Sequence, residues 1–242
     1  MYDPHHPEFE APTDLDIKIW RYMDLPKLVS MISSGSLWLS RADLLGDPHE
    51  GARGAFNAAK RQEAYGEHAG EITRALERSG PLMRRCVYVN CWHMAEIESV
   101  AMWKAYTTAG HGVAVHSTFR KLVTGVTDSR QFMAGVVKYV DPSTHWVGEN
   151  SMLTPFVHKR QSFAYEREVR LLYPAFDSDW QNPASALPAG LPFKLDLARV
   201  IDGVRVSPEQ PAWFADTVAS VVDSFSLGVD VTQSDLDADP VY

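Results

Sequence analysis

Between Ile17 and Ser40 the chain spells out a short strand, one helix and a second short strand, and this opening limits what the remainder can build. Ile17, Ile19 and Trp20, with Arg21 and Tyr22, form a β-like run. Asp24 stands where a helix N-cap belongs. Leu25, Leu28, Val29 and Ile32 then recur at helical spacing until Gly35 stops the helix. Leu37-Trp38-Leu39-Ser40 reads as the second strand. Further strand-like runs lie at 86–92, 112–116, 132–140, 169–173 and 200–206. Helical stretches are expected at 52–78, mostly exposed, at 99–107 and at 157–164. Ser207-Pro208-Glu209-Gln210 fits a capping box with proline at the first helical position. Phe214, Val218, Val221, Val222 and Phe225 follow it as a core-facing stripe. Strands and helices that do not strictly alternate indicate a single α+β domain with a mixed, mainly antiparallel sheet flanked by helices.

Of 242 residues, 45% are hydrophobic and 22% charged, which excludes a disordered chain, a collagen, a coiled coil or a disulfide miniprotein. Residues 1–16 are rich in proline and acid and are expected to form a flexible arm. Residues 17–228 read as the globular domain and 229–242 as an acidic tail, while 141–155 and 176–190 read as loops. The net charge of −8 first argues against a nucleic-acid partner. Nine acids, however, fall within the two ends, which contain no Lys or Arg; removing them from −8 leaves +1 for the body. A phosphate-bearing ligand or a nucleic acid is thus compatible with the body, and the ends are expected to shield a basic site until a partner displaces them. The chain contains two cysteines, Cys86 and Cys91, placed on opposite faces of one expected strand and read as buried, inert thiols. No run approaches the roughly 18 apolar residues of a membrane span, so a cytoplasmic setting without a membrane partner is expected.

No P-loop, dinucleotide glycine fingerprint, nucleophile elbow or paired-histidine zinc helix is present, and the scattered histidines imply no metal. Tyr165-Glu166-Arg167-Glu168-Val169-Arg170 carries the most chemistry. Read as a strand, it places Glu166, Glu168 and Arg170 on one face, where the arginine relieves the repulsion of the two acids. Such a carboxylate pair can hold sugar hydroxyls and stabilise positive charge at a sugar carbon. The same residues also suit a solvated ion pair, or a helix pairing Glu166 with Arg170 four apart. Arg21 is placed to clamp a phosphate or carboxylate, or to project from an edge strand. Ser40 orients a ligand or caps a turn. Asp47 is explained by a Gly-Asp-Pro turn, whereas His49 and Glu50 beside it are not. Trp103 and Tyr106, three apart, read as core residues or as an aromatic wall for a planar ring.

These blocks resemble an uncharacterised bacterial family, a domain of unknown function. The resemblance rests on Trp20-Arg21-Tyr22, Gly35-Ser36-Leu37-Trp38-Leu39-Ser40 and Asp47-Pro48-His49-Glu50-Gly51. It continues through Met102-Trp103-Lys104-Ala105-Tyr106, Gly110-His111-Gly112-Val113-Ala114-Val115 and Phe163-Ala164-Tyr165-Glu166-Arg167-Glu168-Val169-Arg170, with Phe163 where the family has tryptophan. A first-strand arginine, a serine-ended second strand and a later Glu-x-Glu also resemble, more distantly, the ADP-ribosyltransferases. That resemblance implies NAD as substrate, with Arg21 on its phosphate or ribose, Ser40 supporting the site and Tyr106 or Trp103 stacking on nicotinamide. It implies Glu168 as the essential carboxylate and Glu166 as the residue that positions the acceptor. Asp47, Glu50 and Arg170 are expected among the substrate-binding residues. Ser40 departs from the pattern in lacking a following Thr-Ser.

The expectation is therefore an NAD-consuming transferase or glycohydrolase, in a family whose setting suggests bacterial conflict or phage defence. The rivals are a non-enzymatic module binding a nucleotide or nucleic-acid end through Arg21 and Arg170, and an oligomeric scaffold using exposed tryptophans.

Overall fold

The computed structural model describes residues 1–107, 111–176, 182 and 187–238. The opening folds as read: β1 (Lys18–Asp24), α1 (Leu25–Ser34) and β2 (Ser36–Arg41). Asp24 occupies the N-cap position, but its carboxylate pairs with Lys27 at 3.7 Å. Gly35 closes α1 at φ 57°, a left-handed conformation that costs a glycine nothing.

The expected exposed helix is two helices, α2 (Ala55–Tyr65) and α3 (Ala69–Cys86), and α3 carries Cys86 out of the strand assigned to it. Next come β3 (Val87–Met94), α4 (Val100–Tyr106), β4 (Gly112–Thr118) and α5 (Phe119–Gly125). The strand expected over 132–140 breaks into β5 (Met133–Val136) and β6 (Lys138–Val140), which join different sheets. The helix expected over 157–164 is instead β7 (His158–Arg160) followed by a 3₁₀ turn over Gln161–Glu166. The chain then forms β8 (Glu168–Pro174), β9 (Gly190–Lys194), α6 (Leu197–Val200), β10 (Gly203–Val206), α7 (Ala212–Ser224) and β11 (Val231–Gln233). The sequence reading missed β9, which contains Pro192 and lies at a sheet edge, where a missing N–H is tolerated. The capping box does not form. Glu209 sits at φ 62° with its N–H on the Asp237 carboxylate, the Ser207 hydroxyl accepts from the Gly112 N–H, and α7 starts after Pro211. On α7, Phe214, Val218 and Val222 are buried as expected, while Phe225 is exposed.

The main sheet is α+β in class, with every pairing antiparallel except β10 with β11; β6 and β7 form a separate parallel pair. Its order runs β11-β10-β4-β1-β3, and β8 and β5 continue beyond β3. β8 pairs with β3 from Val87↔Pro174 to His93↔Glu168, filling one edge of β3. The other edge is shared. β1 pairs at Ile19↔Met94 and Trp20↔His93, and β2 at Ser40↔Val89 and Arg41↔Tyr88. Between those contacts Asn90, Cys91 and Trp92 have no strand partner on that edge, so β1 and β2 diverge and the sheet opens. α1 spans the opening because it joins the far ends of these two strands.

One sheet face packs Ile19, Leu28, Leu37, Trp92, Phe119, Leu171 and Val218 beneath α1, α5 and α7. The other packs Val87, Val89, Leu172, Phe156 and Met83. A third cluster seats Trp103 and Met102 of α4 against Trp20 and Tyr22. Among the described residues no helix is long and apolar enough to cross a membrane.

Residues 1–16 do not stand apart. The Phe132 N–H donates to the Met1 carbonyl, the Asp3 N–H to the Phe132 carbonyl and the Val136 N–H to the Glu10 carbonyl, so the first residues cover the β5 edge. Phe9 is 2% exposed within the second cluster. At the other end β11 extends the sheet. Asp239 and most of the expected excursion after Phe176 lie outside the described residues.

Phe9→Ala is therefore expected to cost about 3 kcal/mol, the usual scale for deleting a buried phenylalanine. Urea denaturation checks this, and a loss below about 0.5 kcal/mol, typical of a surface change, would return residues 1–16 to the status of an arm.

Candidate active site

The opening between β1 and β2 leaves backbone groups of β3 unpaired, and side chains take over the ladder. Arg21 Nη1 donates to the Cys91 carbonyl at 2.8 Å. Asn90 Nδ2 donates to the Trp38 carbonyl at 2.9 Å, while Asn90 Oδ1 accepts from Trp92 Nε1. The opening continues into a cavity of about 910 Å³, room enough for a dinucleotide. Arg21, Ser40, Asp47, Glu50, Tyr106, Glu166, Glu168 and Arg170 all line it. No residue of 1–16 or 229–238 lines it, so among the described residues the ends do not shield the site.

Arg21 lies on one wall. The residue is half-buried, the desolvation of its charge lowers its pKa, and among the described residues no carboxylate pairs with it. A guanidinium in that state is costly until an anion reaches it.

The facing wall is acidic. Glu168 begins β8, but the two-residue alternation expected across Glu166 and Glu168 is absent. Glu166 ends a 3₁₀ turn and Arg167 adopts φ 41°, a left-handed kink that reverses the backbone between the acids. The two carboxylates converge for another reason: Lys159 of β7 bonds Glu166 and lies 3.3 Å from Glu168. Glu168 Oε1 also accepts from Arg170 Nε at 2.6 Å, and its N–H donates to the Tyr139 hydroxyl at 2.8 Å. Arg170, 0% exposed, extends to both oxygens of Glu50 and to the Phe156 carbonyl. Burial pushes the Glu168 carboxyl up, but the charges of Arg170 and Lys159 outweigh it and hold the pKa down at about 2. Lys159 stays protonated because its two carboxylates overcome the effect of burial.

Two further groups meet this wall. The Tyr106 hydroxyl donates to Glu166 Oε1 at 2.9 Å; burial of the hydroxyl and the Glu166 charge raise its pKa, although the residue is 42% exposed and so is not a core residue. Burial and the nearby Glu168 charge raise the pKa of the Cys91 thiol, and Cys91, whose carbonyl anchors Arg21, lines the cavity. His93 Nδ1 lies 2.6 Å from the Glu166 carbonyl, and burial lowers its pKa, so the neutral ring donates from Nδ1.

Trp103 is the sequence candidate that the structure keeps out of the cavity. It is buried under α4, its ring set edge-on to Tyr22 at 4.8 Å and its Nε1 bonded to Glu98 at 3.0 Å. Asp47 forms the expected turn by accepting from the His49 N–H, and it also pairs with Arg160 at 2.9 Å. His49 itself is exposed. Lys159, Asn90, His93 and Tyr139 were not singled out from sequence. The signal for Lys159 was the basic run His158-Lys159-Arg160 ahead of the Glu-x-Glu. A helical reading of that run hid it.

No protein-family model and no curated protein sequence matches the chain. Among solved structures, Thermus sp. 2.9 DarT in complex with ADP-ribosylated ssDNA is similar at a TM-score of 0.43 and 9% identity, over 93% of this chain and 96% of that one.

Arg170→Met leaves buried Glu50 without its cation and Glu168 with Lys159 alone, and is expected to cost about 3–5 kcal/mol in urea denaturation at neutral pH. Glu168 also sets a pH dependence. Its native pKa of about 2 lies below the ordinary 4.5, so its stabilisation is present above pH 4.5 and is lost as pH falls towards 2. Over that range the stability gap between wild type and Glu168→Gln should narrow; a constant gap would contradict the assignment.

Proposed function

We propose that this protein is an NAD-consuming enzyme, an ADP-ribosyltransferase or NAD glycohydrolase, with NAD bound as substrate in the cleft between β1 and β2. One observation carries the reading: the cleft is polarised. On the acidic wall Asp47, Glu50, Glu166 and Glu168 outnumber Lys159, Arg160 and Arg170 by one charge, and among the described residues Arg21 on the other wall lacks a carboxylate. NAD has matching ends, a cationic nicotinamide ring and an anionic pyrophosphate. The cavity volume suits a molecule of that size.

In this reading Arg21 holds the pyrophosphate, and Ser40 supports the sugar from the end of β2. Glu168 accepts a ribose hydroxyl. As the bond between ribose C1′ and the nicotinamide nitrogen breaks, its electron pair leaves with the ring, which becomes neutral. The positive charge left on the sugar is stabilised by Glu168. Attack by an acceptor oxygen or nitrogen, or by water, completes the transfer, and the attacking group releases its proton. Tyr106 and Glu166 stand beside that acceptor. Arg170 and Glu50 act behind Glu168, fixing its carboxylate, and Trp103 seats α4 so that Tyr106 reaches the cleft.

A second reading is a nucleotide-binding module without turnover. The full engagement of the Glu168 carboxylate by Arg170 and Lys159 favours it. The two separate cleanly. NAD is expected to raise the melting temperature of wild type, and Arg21→Ala to abolish that rise. Glu168→Gln is expected to retain binding while nicotinamide release falls by about 100-fold or more, the scale of losing a group that stabilises developing charge. Binding without release in wild type would select the module, and no binding in any variant would refute both.

A further inference from the structure

Resting on the NAD reading, we propose that Lys159 is an internal cation which the ligand's positive ring replaces, so that the site recognises charge on the ring and not only its shape. Three cations stand on the acidic wall. Arg170 is fixed by Glu50, Glu168 and the Phe156 carbonyl. Arg160 is tied to Asp47. Lys159 is held, among the described residues, by the two carboxylates the reaction needs and by the face of Phe163, 4.8 Å from its nitrogen.

The side chain of Lys159 is 10% exposed and lines the cavity. Its flexible stem allows the ammonium to withdraw without dismantling the sheet, which a bidentate guanidinium cannot do. Phe163 also lies 5.2 Å from the Arg160 guanidinium carbon, so its face already serves cations. With the ammonium in place the charges of Glu166 and Glu168 are largely cancelled and Glu168 has little field to offer a developing sugar cation. With the ammonium withdrawn, the same carboxylates need a replacement positive charge. A pyridinium ring supplies one, and the uncharged nicotinamide product does not. The exchange therefore favours substrate over product at the same subsite. Lys159 keeps its proton throughout, and no bond is made or broken in the exchange.

The test uses 1-methylnicotinamide, a cation, and nicotinamide, its neutral counterpart, with the full-length protein. By calorimetric titration, Lys159→Met is expected to bind the cation about tenfold more tightly than wild type, the scale of one relieved charge repulsion, with nicotinamide unchanged within about twofold. A lysine serving only the fold would alter both ligands alike, so equal shifts, or weaker binding of the cation, overturn the proposal. A second measurement needs no variant. Limited acylation of wild type, read residue by residue by mass spectrometry, should label Lys159 several-fold faster with saturating 1-methylnicotinamide than without it. Slower or unchanged labelling overturns the exchange, as does failure of either protein to bind the cation. If wild type still binds NAD and releases nicotinamide, the exchange alone falls; if NAD does not bind, the NAD reading falls with it.

Discussion

Strand β3 has eight residues and two edges, and the rest of the molecule is arranged around how those edges are used. β8 occupies one edge along its length. β1 and β2 must divide the other, one at each end, and they cannot both run alongside it. The opening is a consequence of the pairing and not of a missing strand. It places Arg21, Ser40 and Cys91 at one gap, because each belongs to a strand bordering it. β8 then delivers Glu168 and Arg170 from the opposite edge of β3, opposite His93 and Cys91 in register.

Much of this was legible in the sequence, for reasons that differ between elements. The β1-α1-β2 opening follows from local signals: alternating apolar residues, a helical repeat and a glycine that can adopt positive φ. Its divergence was not legible, since strand pairing is non-local and no single segment encodes it. The alternation expected to set Glu166 beside Glu168 on one strand face is interrupted at Arg167. The two acids meet because Lys159 binds both, and Lys159 was hidden in a segment whose few apolar residues fit a helix as readily as a strand. Tyr106 and Trp103 show the limit of spacing. Three residues apart on one short helix, they divide into a cleft residue and a core residue according to what packs beneath α4.

The ends of the chain were misread because composition describes the average of a segment. Residues 1–16 are acidic and proline-rich, yet Tyr2 and Phe9 suffice to seat them, with backbone hydrogen bonds closing the β5 edge. An uncovered edge strand invites pairing with other chains, so this arrangement removes a hazard while leaving the acids in water. Much of the net charge thus lies away from the cleft and does not govern what enters it.

What governs entry is the way the open edge is satisfied. A strand edge without a partner strand needs donors and acceptors from elsewhere, or it is left with unpaired backbone groups in a protein interior. Asparagine can supply them without charge, and Asn90 does so towards β2. On the β1 side the donor is an arginine, which brings a full positive charge into a half-buried gap. A neutral donor would have served the backbone equally well. Among the described residues the cost of choosing arginine is balanced only across the cleft, where Glu50, Glu166 and Glu168 exceed their own cations, Lys159 and Arg170, by one. The structural repair of the sheet and the polarity of the cavity are therefore the same feature. Opposite charges thus face one another across a single gap, Arg21 on one wall and the excess carboxylate on the other.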